Sequence, residues 1–126
     1  MELRDNVKYA KTHEWVKELG DGVVEIGITD FAQDALGDIV FINLPEVDDE
    51  VVMETPFCDV ESVKAVSDVY SPVTGVICQV NEELADNPAL INESAFDAWI
   101  IRVKDVKEHE DFLSAEEYET FANEEA

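Results

Sequence analysis

Glu61-Ser62-Val63-Lys64-Ala65-Val66-Ser67-Asp68 sets one cation between two runs of β-type sequence, Phe57 to Val63 and Ala65 to Tyr70. Two such runs with so little between them predict a tight hairpin with Lys64 at its tip. From Glu18 to Ile101 the chain holds nineteen Asp and Glu residues, and this lysine is its only basic residue. An ordinary surface lysine paired with Glu61 or Asp68 would look alike locally. Its isolation, the uncharged neighbours Val63 and Ala65, and strand sequence on both sides instead mark Lys64 as a candidate for covalent modification.

Outward from this hairpin, strand-type runs lie at Asp38 to Leu44, Val51 to Met53, Gly75 to Val80 and Ala98 to Val103. Leu44-Pro45-Glu46, Thr55-Pro56, Ser71-Pro72 and Asn87-Pro88 punctuate them, because proline lacks the N–H that an interior ladder position requires. Nearer the start, Trp15 to Lys17 and Val23 to Ile28 flank a segment closing on Gly20-Asp21-Gly22, which supplies the positive φ of a hairpin turn. Thr29 to Gly37 predicts a short helix: a Thr or Asp cap, Gln33 three residues after Asp30, apolar residues at helical spacing and a closing glycine. Ser114-Ala115-Glu116-Glu117 reads as a capping box that opens an amphipathic helix over about 114–123, packing Leu113, Tyr118 and Phe121 on the body. A weak echo repeats Gly37, Ile39, Asn43 and Asp48 as Gly75, Ile77, Asn81 and Asp86, which would set two similar β-units around Lys64. The expected fold is mainly β: a flattened antiparallel β-barrel or sandwich with a few short helices and a C-terminal helix, in one domain spanning 1–126.

Composition narrows the function. The chain of 126 residues is 46% apolar, enough for a real core, yet carries 31 acidic against 8 basic side chains and a net charge of −23. Nucleic acid and anionic membranes are excluded as partners, since binding either needs basic residues the sequence lacks. A basic protein partner, or a saline milieu that screens self-repulsion, fits better. No apolar run approaches a membrane span, and Met1 to Lys11 has no signal-type core, so a cytoplasmic location is expected. Cys58 and Cys78 have no metal spacing and read as reduced core residues. There is no Gly-rich phosphate loop, no HExxH, no nucleophile elbow, and His13 and His109 have no evident serine or cysteine partner. The expectation is a protein without catalytic residues of its own.

Several ordered motifs then carry a family resemblance. Tyr9-Ala10-Lys11-Thr12-His13-Glu14-Trp15-Val16, Gly27-Ile28-Thr29-Asp30-Phe31-Ala32-Gln33, Leu36-Gly37-Asp38-Ile39-Val40-Phe41, the Lys64 segment with Tyr70-Ser71-Pro72-Val73-Thr74-Gly75, Val80-Asn81-Glu82, Asn87-Pro88, Leu90-Ile91-Asn92 and Trp99 resemble the glycine cleavage system H proteins. The resemblance implies a lipoyl-domain fold of the barrel-sandwich hybrid type. It also implies a non-catalytic carrier with lipoate joined as an amide to Lys64. In that family the carrier shuttles an aminomethyl group from a pyridoxal-phosphate glycine decarboxylase (P protein) to a tetrahydrofolate-dependent aminomethyltransferase (T protein). Dihydrolipoamide dehydrogenase (L protein) then reoxidises it, and a lipoate ligase or lipoyl transferase loads it.

By the same resemblance, Glu61 matches an acidic position read by the lipoylating enzyme, and Thr12, Glu14 and Asp68 match positions that would cradle the arm. His13, Trp15, Tyr70 and Trp99 are expected to pack rather than react. The chain departs from the family pattern at Asp48, at Glu54-Thr55-Pro56 and at Phe96-Asp97-Ala98, where glycines are usual. Three alternatives stay open: an H-like lipoyl protein serving lipoyl relay or sulfur-compound metabolism, a biotinyl carrier, and an unmodified acidic interaction module.

Overall fold

The structure, a computed structural model, describes residues 1–125. In chain order the elements are β1 (Lys8–Tyr9), β2 (Glu14–Gly20), β3 (Val23–Ile28), α1 (Asp30–Leu36), β4 (Ile39–Asn43), β5 (Glu50–Val51), β6 (Pro56–Ser62), β7 (Val66–Tyr70), β8 (Val73–Val80), α2 (Glu83–Asp86), α3 (Leu90–Glu93), β9 (Ile101–His109) and α4 (Ala115–Glu125). The strands form two antiparallel sheets, a six-stranded one in the order β1-β2-β3-β9-β8-β5 and a three-stranded one in the order β4-β6-β7. Of the two forms expected, the sandwich is the one adopted; both sheets keep open edges.

Alternation along the strands builds the core. From the large sheet Val16, Ile26, Ile77, Ile101 and Val103 turn inward, and Ile42, Cys58, Val60 and Val69 of the small sheet meet them. The opposite face of the large sheet has its own cover. Trp15, one position off from Val16 and therefore on the other side, is buried with Tyr9 and Phe96 in a cluster that Tyr118 and Ala122 of α4 complete. Gly27, directly opposite Trp15 in the ladder, admits the indole, because a Cβ there would stand 2.6 Å from its ring. The capping box of α4 is reciprocal: the Ser114 N–H donates to Glu117 Oε1 at 3.0 Å and the Glu117 N–H donates to Ser114 Oγ at 3.2 Å.

Three differences from the sequence reading have physical reasons. The last strand starts at Ile101 rather than Ala98 and runs on to His109. Its second half, Lys104-Asp105-Val106-Lys107-Glu108, lies largely exposed, so its charges conceal the strand. β1 has only two residues, held by β2 on one side and by paired Tyr9–Leu113 backbone bonds on the other. The 38-residue echo is not one of structure: Asp48 is a left-handed turn residue with φ 77, whereas Asp86 lies in α2.

Candidate functional site

The hairpin of β6 and β7 pairs Glu61 with Val66 and leaves Val63, Lys64 and Ala65 as its tip. Ser62 satisfies the turn. Its N–H donates to the Ala65 carbonyl at 2.8 Å, and its Oγ accepts from the Lys64 and Ala65 N–H groups at 3.2 and 3.1 Å. One further bond, from the Val63 N–H to the Asp38 carbonyl at 3.0 Å, pins the tip to the chain just ahead of β4. With the backbone so engaged, the turn presents side chains to solvent, Lys64 among them between the exposed Val63 and Ala65.

That side chain is exposed, and neither Glu61 nor Asp68 forms an ion pair with it among the described residues. Its stem lies against Gly37, where a Cβ would come within 3.1 Å of Lys64 Cε, and Nζ stands 3.5 Å from the Ala35 carbonyl at the end of α1. Gly37 has a second reason to be glycine, a φ of 79 in the residue that closes the helix. Asn92 braces the platform. Its Oδ1 accepts from the Ile39 N–H at 2.8 Å while Nδ2 donates to the Gly37 carbonyl and to Gln33 Oε1, each at 2.9 Å. A prosthetic acid joined as an amide needs a reachable amine with no competing carboxylate, and Lys64 fits that requirement.

Glu61 lies next to the tip on the outer face of the small sheet. Two rows cross that face: Phe41, Glu61 and Val66, then Asn43, Asp59 and Asp68. Asp68 is exposed there. Thr12 and Glu14 lie elsewhere and together, at the start of β2, where the Thr12 hydroxyl donates to the Glu14 carboxyl group. Glu14 is only 2% exposed, and burial pushes its pKa up to about 8, with hydrogen bonds from Thr12 and from the Tyr70 N–H opposing the shift and Glu110 adding to it. Glu110 is itself raised, first by burial and then by Glu54. Glu14 is therefore mostly neutral at pH 7.

The remaining singled-out side chains pack. His13 is bonded to Tyr118 Oη at 2.6 Å and to Glu125 at 2.7 Å and stacks on Phe31 at 4.8 Å, holding α4 to the body. Trp15 donates its indole N–H to the Ala95 carbonyl at 3.1 Å, and Trp99 lies under the Arg102 guanidinium at 4.1 Å. Cys58 is buried, which pushes its thiol pKa up, and it stands in a different sheet from Cys78. Among the described residues no group of three or more His, Cys, Asp and Glu is placed to hold a metal, and no helix is long and apolar enough to cross a membrane.

Sequence reading did not single out Asn92 as a brace or foresee the turning-out of Val40 and Phe41. The unbroken apolar run Ile39-Val40-Phe41-Ile42, which cannot alternate, was the available signal for the second.

Comparisons with known proteins bear on this site and on the whole chain. Residues 7–125 match the family model described as Glycine cleavage H-protein. A glycine cleavage system H protein of Halalkalibacterium halodurans is 54% identical, the match covering 98% of this chain and 98% of the relative. One from Lachnoclostridium phytofermentans is 51% identical over 99% of this chain and 98% of its own length. The crystal structure of a glycine cleavage system H protein from Mycobacterium marinum superposes with a TM-score of 0.87 at 34% identity, covering 98% of both chains. A full-length match in sequence and in fold leaves one assignment: the chain belongs to the glycine cleavage H-protein family.

Proposed function

We propose that this chain is the lipoyl carrier of a glycine cleavage system, with lipoate held as an amide on Lys64. The observation that carries the reading is the exposed, carboxylate-free amine at the tip of a turn whose backbone is already satisfied. When bound, lipoate supplies a disulfide that takes up the transferred group together with its electrons. The chain's own residues position and shelter. Ser62 and the Asp38 carbonyl fix the turn, Gly37 leaves room for the lysine stem, and Glu61 offers a carboxylate to the loading enzyme.

Thr12, Glu14 and Asp68 are assigned to the arm. Glu14, neutral when alone, would ionise once a cationic head group came beside it, because an adjacent positive charge favours the carboxylate. The reacting cofactors belong to the partners: glycine decarboxylase, aminomethyltransferase and dihydrolipoamide dehydrogenase, with a lipoate ligase or lipoyl transferase for loading. A cytoplasmic setting suits these partners. Tethering raises the effective concentration of the carried group at each of them in turn.

Reconstitution tests this reading. Lipoylated chain added to purified glycine decarboxylase should support exchange of bicarbonate into the carboxyl of glycine, and unlipoylated chain should not. Equal exchange with both forms, or none with the lipoylated form when a proven carrier works, would refute it.

A further inference from the structure

The outer face of the small sheet is unusual at its Lys64 end. Of the eight large hydrophobic residues that lie exposed among the described residues, four gather there: Val40 at 55%, Phe41 at 46%, Val63 at 66% and Val66 at 65%. Singly exposed apolar side chains are ordinary, but a cluster beside a reactive group is not. The cluster is built by a defined irregularity. Ile39 pairs with Ser62 and Phe41 with Glu61, so Val40 is an extra residue on β4, a β-bulge. Ile39 and Ile42 still point inward at 3% exposed, while the bulge turns both residues between them to solvent. Phe41 then falls in register with Glu61 and Val66, across a face about 10 Å wide at ordinary strand spacing. The next row, Asn43, Asp59 and Asp68, is acidic, with Asn43 donating to Asp59 at 2.6 Å.

We propose that this two-zoned face, Val40, Phe41, Val63 and Val66 edged by Glu61, Asp59 and Asp68, is the docking surface for the enzyme that acylates Lys64. That enzyme would meet it with an apolar centre edged by Arg or Lys side chains. The proposal rests on the functional reading above and adds to it the surface by which the loading enzyme finds its lysine. An enzyme that takes the Lys64 amine into an active site must cover the tip around it, which Val63 belongs to and Val66 adjoins. The charges left around the cluster are carboxylates, so the complementary partner is cationic. A second copy of this chain is a poor occupant, because each copy has a net charge of −23 and would set its own acidic row against the other's. The acyl step needs no oxidant. Lys64 Nζ, after losing a proton, attacks the acyl carbon of a lipoyl adenylate. The N–C bond forms, the C–O bond to phosphate breaks, AMP leaves with the bonding electron pair, and the nitrogen gives up a second proton to become the neutral amide.

The test is transfer from lipoyl adenylate by a lipoate ligase, followed by intact mass as a function of carrier concentration. It compares the wild-type chain with the double variant Phe41→Thr, Val66→Thr and with the control Leu19→Thr, Val52→Thr, which alters exposed apolar residues away from the patch. The patch variant should raise KM for the carrier about tenfold while kcat stays the same, the effect of removing buried anchors from an interface. Should it melt early, Val66→Thr alone, on the edge strand β7, is expected to raise KM about threefold. A wild-type KM in the patch variants overturns the proposal, as does an equal rise in the control. Self-association of the wild-type chain in sedimentation, lost in the patch variant, would assign the face to a second copy and overturn it too. No transfer to the wild-type chain, with a proven carrier labelled in parallel, would refute the functional reading itself.

Discussion

Glu14 shows how burying one carboxyl group ties stability to pH. Its pKa rises from 4.5 to about 8 chiefly because burial penalises the anion. Between those values the folded chain holds a proton that the unfolded chain has released, so this residue's contribution to stability is full below about pH 4.5 and is lost as pH rises through about 8. Thermal melts of the wild-type chain and of Glu14→Gln between pH 5 and 8.5 separate this effect from the general repulsion of an acidic protein. The wild type should lose stability relative to the variant as pH rises, and a constant difference would show that Glu14 ionises normally. At this scale the exposed place of Lys64 at a hairpin tip was legible, because its isolation between two strand-type runs is a property of the sequence itself. The state of Glu14 was not, because nothing in Thr12-His13-Glu14-Trp15 says that the side chain is enclosed against the Tyr70 N–H and near Glu110.

Among the elements, those with local signals were legible and those held by distant partners were not. The hairpin over Gly20-Asp21-Gly22 has positive φ at all three residues, and Thr29 caps α1 by accepting from the Ala32 N–H at 3.2 Å. Cap and turn chemistry is written within a few consecutive residues. Asn92 illustrates the other case, since it joins α3 to α1 and to β4 through groups that are 53 to 59 residues away. Its loss would leave the Ile39 N–H and the Gly37 carbonyl short of partners beneath the Lys64 tip. Asn92→Ala should therefore lower stability by about 1–3 kcal/mol in denaturant titration, the cost of stranding partly buried polar groups. The same variant should raise hydrogen exchange at Val63, whose N–H depends on the Asp38 carbonyl. An unchanged midpoint would deny Asn92 its bracing role.

For the whole molecule the governing quantity is charge. With 31 acidic and 8 basic side chains, the field of the chain draws cationic partners and opposes its own kind. Transfer of lipoate to the chain should slow as salt rises from low to physiological ionic strength and beyond, through weaker association rather than slower chemistry. A flat profile would assign the acidity to something other than steering. Overall charge was readable from composition, whereas the division into a six-stranded and a three-stranded sheet depends on which faces pair across the core. The most direct test of the carrier role is peptide mass spectrometry across Lys64 after expression with lipoate and its ligase. Lipoyl mass on the Lys64 peptide is expected, and Lys64→Ala should lose it while keeping its stability within about 0.5 kcal/mol, as an exposed position allows. A chain that leaves Lys64 bare under conditions that label a known carrier would contradict it.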